Sequence, residues 1–256
     1  MKTIITSLTL LTPLAHGATL TGLWTFDNPA NPGEASVGNN LVFEGTAPTY
    51  SASLSDDGGN TQSGVITTVF GPSNRIRADH GIAPNGGSFV NQYSILVDIF
   101  SPAGSRGSWR TIFQTNTGNS NDGEFFIRNN NDAIGVADLG YSDSPIDETS
   151  WTRLILTFDL TQAGNDVQSY TDGTSFFSHP NDPGVDGRFS LDPFLYFFTD
   201  NDSDNNPLNV GTVAIFDGVL SPAEVAGLGA AGTAIPEPSA IALLSLGGLL
   251  ARRRRS

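Results

Sequence analysis

Short segments rich in β-branched and aromatic residues recur along this chain, and clusters of glycine, asparagine, aspartate and proline separate them. Segments of this kind form strands and the clusters between them form turns, so this pattern limits the fold more than any other feature. We predict strands at Leu20–Phe26, Leu41–Phe43, Val65–Phe70, Tyr93–Phe100, Trp109–Thr115, Glu124–Arg128, Ala133–Leu139, Trp151–Leu160, Val167–Tyr170, Phe194–Thr199 and Val210–Phe216. Helical periodicity is almost missing.

The clearest strand pattern places Leu154, Leu156 and Phe158 on one face, while Arg153 and Thr157 face away. One apolar face requires a second sheet to cover it. The sequence therefore predicts an all-β, two-sheet antiparallel sandwich of the jelly-roll kind.

One short helix is predicted near residues 221–228. Ser221 can cap the first turn, Pro222 suits the first helical position, and Glu224 can bond back to the cap. The segment Asn129–Asp132 is typical of a hairpin turn, because asparagine and aspartate tolerate left-handed backbone conformations.

The strand, turn and capped helix from Val213 to Leu228 resemble the closing segment of laminin-G-like, concanavalin-A-like jelly rolls. Other features of that family match in order: Gly22–Asp27, Tyr93–Pro102, Trp151–Asp159 and the turn Asp172–Gly173. The resemblance implies one domain over residues 18–229. It leaves the function open, because this sandwich serves lectins, glycosidases, adhesins and structural modules.

The C-terminal segment 230–256 has a distinct order of parts. A Pro-Glu-Pro triplet is followed by a 13-residue uncharged run and then an arginine cluster: Pro236, Glu237, Pro238, then 239–251, then Arg252, Arg253, Arg254 and Arg255. This order resembles the PEP-CTERM sorting signal, which implies recognition by an exosortase and transient membrane insertion through the apolar helix. A plain C-terminal membrane anchor is the alternative.

Residues 1–17 have the pattern of a signal peptide, with one lysine, an apolar run and small residues before Ala18. We therefore expect signal peptidase and an exosortase as partners during export. The expected destination is the inner membrane transiently, and then the cell-envelope surface or the extracellular space.

Residues 18–234, called the body below, contain 7 arginines, no lysine and 25 acidic residues, a formal charge of −18. Such a surface repels nucleic acid and anionic lipid headgroups. The chain has no cysteine, which excludes disulfides and thiolate chemistry.

Two kinds of binding site are predicted. Alternating carboxylates at Asp200, Asp202 and Asp204 suit the oxygen ligands of one structural calcium, with a solvated acidic loop as the alternative. Three aromatic residues are candidates for stacking on carbohydrate, with a role in the core as the alternative: Trp109, Tyr141 and Tyr196. Trp24 and Trp151 are predicted to be buried.

No catalytic motif is found. Glycosidases of this fold resemble one another in a Glu-x-Asp-x-x-Glu strand, and Glu124 has Phe126 where that motif has Asp. His80 and His179 lie in polar stretches and are predicted to be solvated loop residues. We therefore expect no enzyme and no required cofactor, but a glycan-binding or structural protein of the envelope. The alternatives are an envelope lectin with defined sugar specificity and a polysaccharide hydrolase.

Overall fold

The structure is a computed structural model that describes residues 17–118, 122–164 and 166–236. The strands are β1 Thr19–Trp24, β2 Val42–Glu44, β3 Thr49–Ser55, β4 Thr61–Thr67, β5 Arg75–Asp79, β6 Gln92–Phe100, β7 Arg110–Gln114, β8 Glu124–Ile127, β9 Ala133–Val136, β10 Gly140–Pro145, β11 Thr152–Asp159, β12 Val167–Thr171, β13 Thr174–His179, β14 Phe194–Phe197 and β15 Asn209–Asp217. The helix α1 spans Pro222–Leu228, and a 3-10 turn spans Ala103–Ser105.

Two antiparallel sheets contain these strands. The eight-stranded sheet has the order β13-β12-β11-β6-β15-β4-β3, with β1 also paired to β15, and the seven-stranded sheet has the order β10-β9-β8-β7-β14-β5-β2. Strands that are adjacent in sequence, such as β11 and β12, pair directly, whereas β6 pairs with β15, which is distant from it in sequence. The described residues therefore form an all-β sandwich with one short helix, as predicted.

The main core lies between the two sheets. Leu154, Leu156 and Phe158 of β11 belong to it, as predicted, and all three are fully buried. Phe158 stacks on Tyr93 at 4.5 Å between ring centroids and meets Phe113 of the opposite sheet edge to face at 5.6 Å. Aromatic side chains thus join the two sheets.

The opposite side of the eight-stranded sheet is also covered. Val225 and Leu228 of α1 pack against Ile155 and Phe216 of the sheet. Helix α1 starts with the predicted capping box: Ser221 Oγ accepts from the Glu224 amide at 3.3 Å, and the Glu224 carboxylate accepts from the Ser221 amide at 2.7 Å.

A buried ion pair holds the segment after α1 to this sheet. Arg153 Nε and Nη2 donate to the two carboxylate oxygens of Asp98 at 2.7 and 2.8 Å, and both side chains are fully buried. Arg153 also donates to the Leu228 and Thr233 carbonyls, while the Gly232 amide donates to Asp98 at 3.1 Å. Residues 229–235 are thereby fixed against the sheet.

Strand β15 changes partner along one edge. Asn209 and Val210 pair with β4, whereas residues from Val213 onward pair with β1. The ladder to β6 on the other edge has a register shift between Val210 and Thr212. The eight-stranded sheet is therefore forked at Gly211, with β4 and β1 diverging on either side.

The predicted turns form as expected. Asp132 at the β8–β9 hairpin has φ of 51°, and Asp172 and Gly173 at the β12–β13 hairpin have φ of 48° and 79°. Trp24 and Trp151 are 0% and 8% exposed, which confirms that they are buried.

Candidate functional site

The side of the seven-stranded sheet directed away from the core, called the outer face below, carries a row of polar and aromatic side chains. Across the sheet Glu124 lies opposite Gln114, Gln114 opposite Tyr196, and Tyr196 opposite Arg77. Their neighbours along the strands, such as Leu195, belong to the core. Because strand residues alternate between faces, the row is directed outward.

An aromatic cluster stands at one end of the outer face. The Trp109 ring meets the Phe126 ring edge to face at 5.5 Å and the Tyr141 ring at 6.3 Å, and the Arg128 guanidinium lies 4.7 Å from the centre of the Tyr141 ring. Trp109 and Tyr141 are both partly exposed. Gly135 lies opposite both Phe126 and Tyr141 in the sheet, so no side chain separates the two rings.

The structure thus brings together two of the three predicted carbohydrate-contacting aromatics. Tyr196 is on the same face but in a different group, where its ring packs against Phe194 at 5.7 Å and under the Arg75 guanidinium at 5.8 Å. Only 7% of Tyr196 is exposed. Its ring is therefore largely covered, and Trp109 and Tyr141 are the more accessible pair.

A group of carboxyls lies beside the aromatic cluster. Glu124 shares hydrogen bonds with Asp200 and Asp122. Gln114 Nε2 donates to Asp122 at 2.7 Å and to Glu124 at 3.4 Å, and Asn201 Nδ2 donates to Asp122 at 3.1 Å. The group therefore combines three carboxyls with two side-chain amides.

Burial and the neighbouring carboxylates change how Glu124 titrates. Burial, the hydrogen bond with Asp200, and the charges of Asp122 and Asp200 raise the pKa of Glu124 from 4.5 to about 9. At neutral pH Glu124 is therefore protonated and can donate a hydrogen bond. Burial and the charges of Asp200 and Asp202 also raise the pKa of Asp204.

The predicted calcium loop borders the same site. Asp200 Oδ2 accepts hydrogen bonds from the amides of Asp202 and Asp204, each at 2.8 Å. Thr111 donates to the Asp204 carbonyl at 2.9 Å, and Asn206 donates to the Trp109 carbonyl at 3.0 Å. These bonds place the loop next to the aromatic cluster. Among residues 17–118, 122–164 and 166–236, no three His, Cys, Asp or Glu side chains are arranged so that they could hold a metal ion, and calcium binding remains a prediction.

The prediction that both histidines lie in solvated loops is wrong, because His80 is 1% exposed and His179 is 0% exposed. His80 Nδ1 accepts from the Ile82 amide at 3.0 Å. His179 packs edge to face between Phe125 and Phe177, and its Nδ1 bonds the Gly140 carbonyl at 3.0 Å. Burial lowers the pKa of both, that of His179 to about 4.

Most of the predicted targeting segments lie outside the described residues. This holds for the signal peptide up to residue 16, and for Glu237, Pro238 and Arg252–Arg255 of the sorting motif; Pro236 is described. Within the part of the chain that the structure describes, no helix is long and apolar enough to span a membrane.

Sequence reasoning did not predict that Asp122, Glu124 and Asp200 form a cluster. It also missed Phe126 and Arg128 as members of the aromatic cluster. Asp122 and Glu124 alternate at the start of β8, and that spacing indicates a shared face. Nothing in the sequence connects them to Asp200, which lies after β14. Phe126 and Arg128 continue the same alternation from Glu124, and this signal could have placed them on the same face as Glu124.

No protein-family model and no curated protein matches the chain. Among solved structures, domain 4 of AbnA, a GH43 extracellular arabinanase from Geobacillus stearothermophilus in complex with arabinotriose, is similar. Its TM-score is 0.56 at 19% identity, over 83% of this chain and 99% of that domain. The fold is a jelly-roll-like β-sandwich.

Two toxin domains are similar as well. The receptor-binding domain of the botulinum neurotoxin C/D mosaic serotype has a TM-score of 0.54 at 16% identity, over 81% of this chain and 50% of that one. The binding domain of Paraclostridial Mosquitocidal Protein 1 has a TM-score of 0.54 at 14% identity, over 82% and 51%. The chain thus spans about half of each toxin domain, and at these identities the likeness concerns the fold alone.

Proposed function

We propose that this chain is an exported, non-enzymatic protein of the cell envelope or extracellular matrix, and that it binds glycan on the outer face of its seven-stranded sheet. We also propose that the β-sandwich belongs to the laminin-G-like, concanavalin-A-like jelly rolls. One observation carries it: the partly exposed rings of Trp109 and Tyr141 stand beside a group of polar side chains that includes Glu124.

The chemistry of this surface suits a sugar. Aromatic rings offer an apolar surface to the C–H face of a pyranose or furanose ring. Glu124 is the partly exposed member of this polar group, whereas Asp122 and Asp200 are 0% and 2% exposed, so the Glu124 carboxyl is the polar group among the three that a sugar hydroxyl can reach. The charge of −18 on the body disfavours an acidic polysaccharide, so we expect a neutral one. The similar arabinanase domain, which was solved with arabinotriose, supports this choice of ligand class.

The test is a glycan array, followed by titration of the best ligand, with the full chain and three variants. Trp109→Ala and Tyr141→Ala should each weaken binding by about 5- to 30-fold, because a ring that stacks on a sugar contributes on the order of 1–2 kcal/mol. Phe89→Ala is the matched control, since Phe89 is an exposed aromatic, 41% accessible, outside the outer face. It should bind like the wild type.

The array also separates the alternatives. A single sugar type bound by the wild type would indicate a lectin with defined specificity. Binding that is equal in the wild type and both variants would overturn the assignment to this face, and the absence of any binding would favour a structural role.

A polysaccharide hydrolase is the second candidate, and one observation favours it. A carboxyl that keeps its proton at neutral pH, such as Glu124, is suited to general acid catalysis, and Asp200 is an adjacent carboxylate. A reducing-end assay on neutral polysaccharides tests this candidate. Release of sugar by the wild type and not by Glu124→Gln would replace binding with hydrolysis as the function.

Sorting is the remaining part of the proposal. The triplet Pro236, Glu237 and Pro238, followed by an apolar run and four arginines, supports recognition and removal of the tail by an exosortase. Mass spectrometry of the protein from its native host is the test. We expect the mature chain to lack Arg252–Arg255 and a variant with alanine at the three motif positions to keep them. A wild-type protein that retains its arginines would indicate a plain anchor.

A further inference from the structure

A polar pocket opens at the fork of the eight-stranded sheet, on the other sheet from the outer face. Its volume is about 220 Å³, and its walls come from the start of β4, from Thr25 and Asp27 just after β1, and from β15 at Gly211 and Thr212. Residues 232–235 form one side of it. We call it the fork pocket.

The fork pocket contains a hydrogen-bond donor with no partner in the protein. Gln62 is 7% exposed, and its Nε2 is buried without a hydrogen-bond partner among the described residues. A buried donor of this kind destabilises the folded protein unless something accepts its hydrogen bond. The fork pocket therefore requires an acceptor atom, from water or from a ligand.

Two glycines border the Gln62 amide. A Cβ on Gly211 would lie 2.0 Å from Gln62 Oε1, so a larger residue at this position of β15 would displace the Gln62 amide. A Cβ on Gly232 would lie 3.9 Å from Gln62 Nε2, in ordinary contact. The amide is thus seated between β15 and the segment that follows α1.

The side chains around the fork pocket determine what it can hold. Its walls include Asp27 and the hydroxyls of Thr25 and Thr212, and no arginine, lysine or histidine. An anion is disfavoured by Asp27, and a cation would leave the N–H donor of Gln62 without an acceptor. A neutral molecule with several hydroxyls can accept from Gln62 and donate to Asp27.

Size narrows the choice further. One water takes about 30 Å³ of liquid volume, so the fork pocket has room for considerably more than one water. We propose that the fork pocket binds a neutral sugar residue, a pentose or hexose held by hydrogen bonds, as a second site independent of the outer face. Its walls include no aromatic side chain, so we expect recognition of hydroxyl pattern rather than ring stacking.

Binding at this site would also act on the segment that follows α1. Thr233 and Gly232 are fixed by Arg153 and Asp98, at 2.7 and 3.1 Å. A sugar in the fork pocket would contact residues 232–235, the same segment that this ion pair holds. We therefore expect the bound sugar to protect this segment, just before Pro236, from proteases.

The test uses the full chain and a panel of free arabinose, xylose, glucose, galactose and mannose. Saturation-transfer NMR should detect saturable binding of at least one sugar. Gln62→Met keeps the length of the side chain but removes the donor, and should weaken binding about tenfold, the effect of losing one hydrogen bond of ~1.4 kcal/mol. Thr212→Val is a second, isosteric variant in case Gln62→Met does not fold.

A matched control separates the two proposed sites. Trp109→Ala should bind the free sugar at the fork pocket like the wild type, whereas it should lose glycan binding at the outer face. The bound sugar should also slow cleavage within residues 230–236 in limited proteolysis. If no sugar of the panel binds, or if Gln62→Met and Thr212→Val bind as well as the wild type, the fork pocket holds only water. Either result would leave the test of the outer face unaffected.

Discussion

At the scale of single residues, Glu124 keeps its proton at neutral pH because its site penalises the charged form. Its folded-state pKa of about 9 lies above the ordinary value of 4.5. Between pH 4.5 and about pH 9, Glu124 keeps its proton in the folded protein but has lost it in the unfolded chain. Stability contributed by Glu124 is therefore present below about pH 4.5 and decreases as the pH rises toward 9.

The substitution Glu124→Gln tests this. Glutamine keeps the shape and the donor but cannot ionise, so the variant should melt higher than the wild type at pH 8 and about equally at pH 4. A proton bound only by the folded state changes the free energy of unfolding by at most about 1.4 kcal/mol per pH unit, and solvent screening at a partly exposed site reduces that change. The measurement is a series of thermal melts from pH 4 to 9.

Asp143→Asn is the control for Glu124→Gln, because it also removes one acidic group but lies exposed on the edge strand β10. Its melting curve should follow that of the wild type at every pH. Parallel curves for the wild type and Glu124→Gln would contradict the assignment of a raised pKa.

At the scale of elements, apolar content decides which strands the sequence reveals. The predicted strands all form, and their bounds shift by only a few residues. The strands that the sequence did not reveal are β3, β5, β10 and β13. Three of them, β3, β10 and β13, are edge strands of their sheets. An edge strand has one neighbour and contributes few side chains to the core, so its sequence carries little apolar alternation.

The buried histidines and the cluster of Asp122, Glu124 and Asp200 also could not be predicted from local sequence. Local composition around His179 is polar, yet β13 pairs with β12 and buries the ring between Phe125 and Phe177. Glu124 and Asp200 meet because β8 and β14 both pair with β7. Contacts of this kind depend on sheet order, which no local pattern records. The capping box of Ser221 and Glu224, by contrast, is entirely local and formed as predicted.

At the scale of the whole molecule, the arginines of the body are already engaged. Every one except Arg128 has an acidic partner within 4.0 Å among the described residues, and Arg128 lies over the Tyr141 ring. The excess of acidic groups that gives the charge of −18 therefore has few cations to balance it. Self-repulsion of this kind destabilises the compact state, and added cations screen it.

This excess of charge is also the reason to expect calcium to stabilise the body. The structure narrows the choice of calcium ligands. Asp200 Oδ2 already accepts hydrogen bonds from two backbone amides, so Asp202 and Asp204 must supply the charge from the same loop.

A ligand that binds only the folded state adds RT ln(1 + [L]/Kd) to the free energy of unfolding, about 2.7 kcal/mol at a hundredfold excess over Kd. Millimolar calcium should therefore raise the melting temperature by several degrees above sodium chloride of the same ionic strength. The double variant Asp202→Asn, Asp204→Asn keeps the shape of the loop and removes two charges, and it should lose this extra increase. An equal effect of calcium on the wild type and the variant, or no effect beyond ionic strength, would leave the loop with a purely structural role beside Trp109.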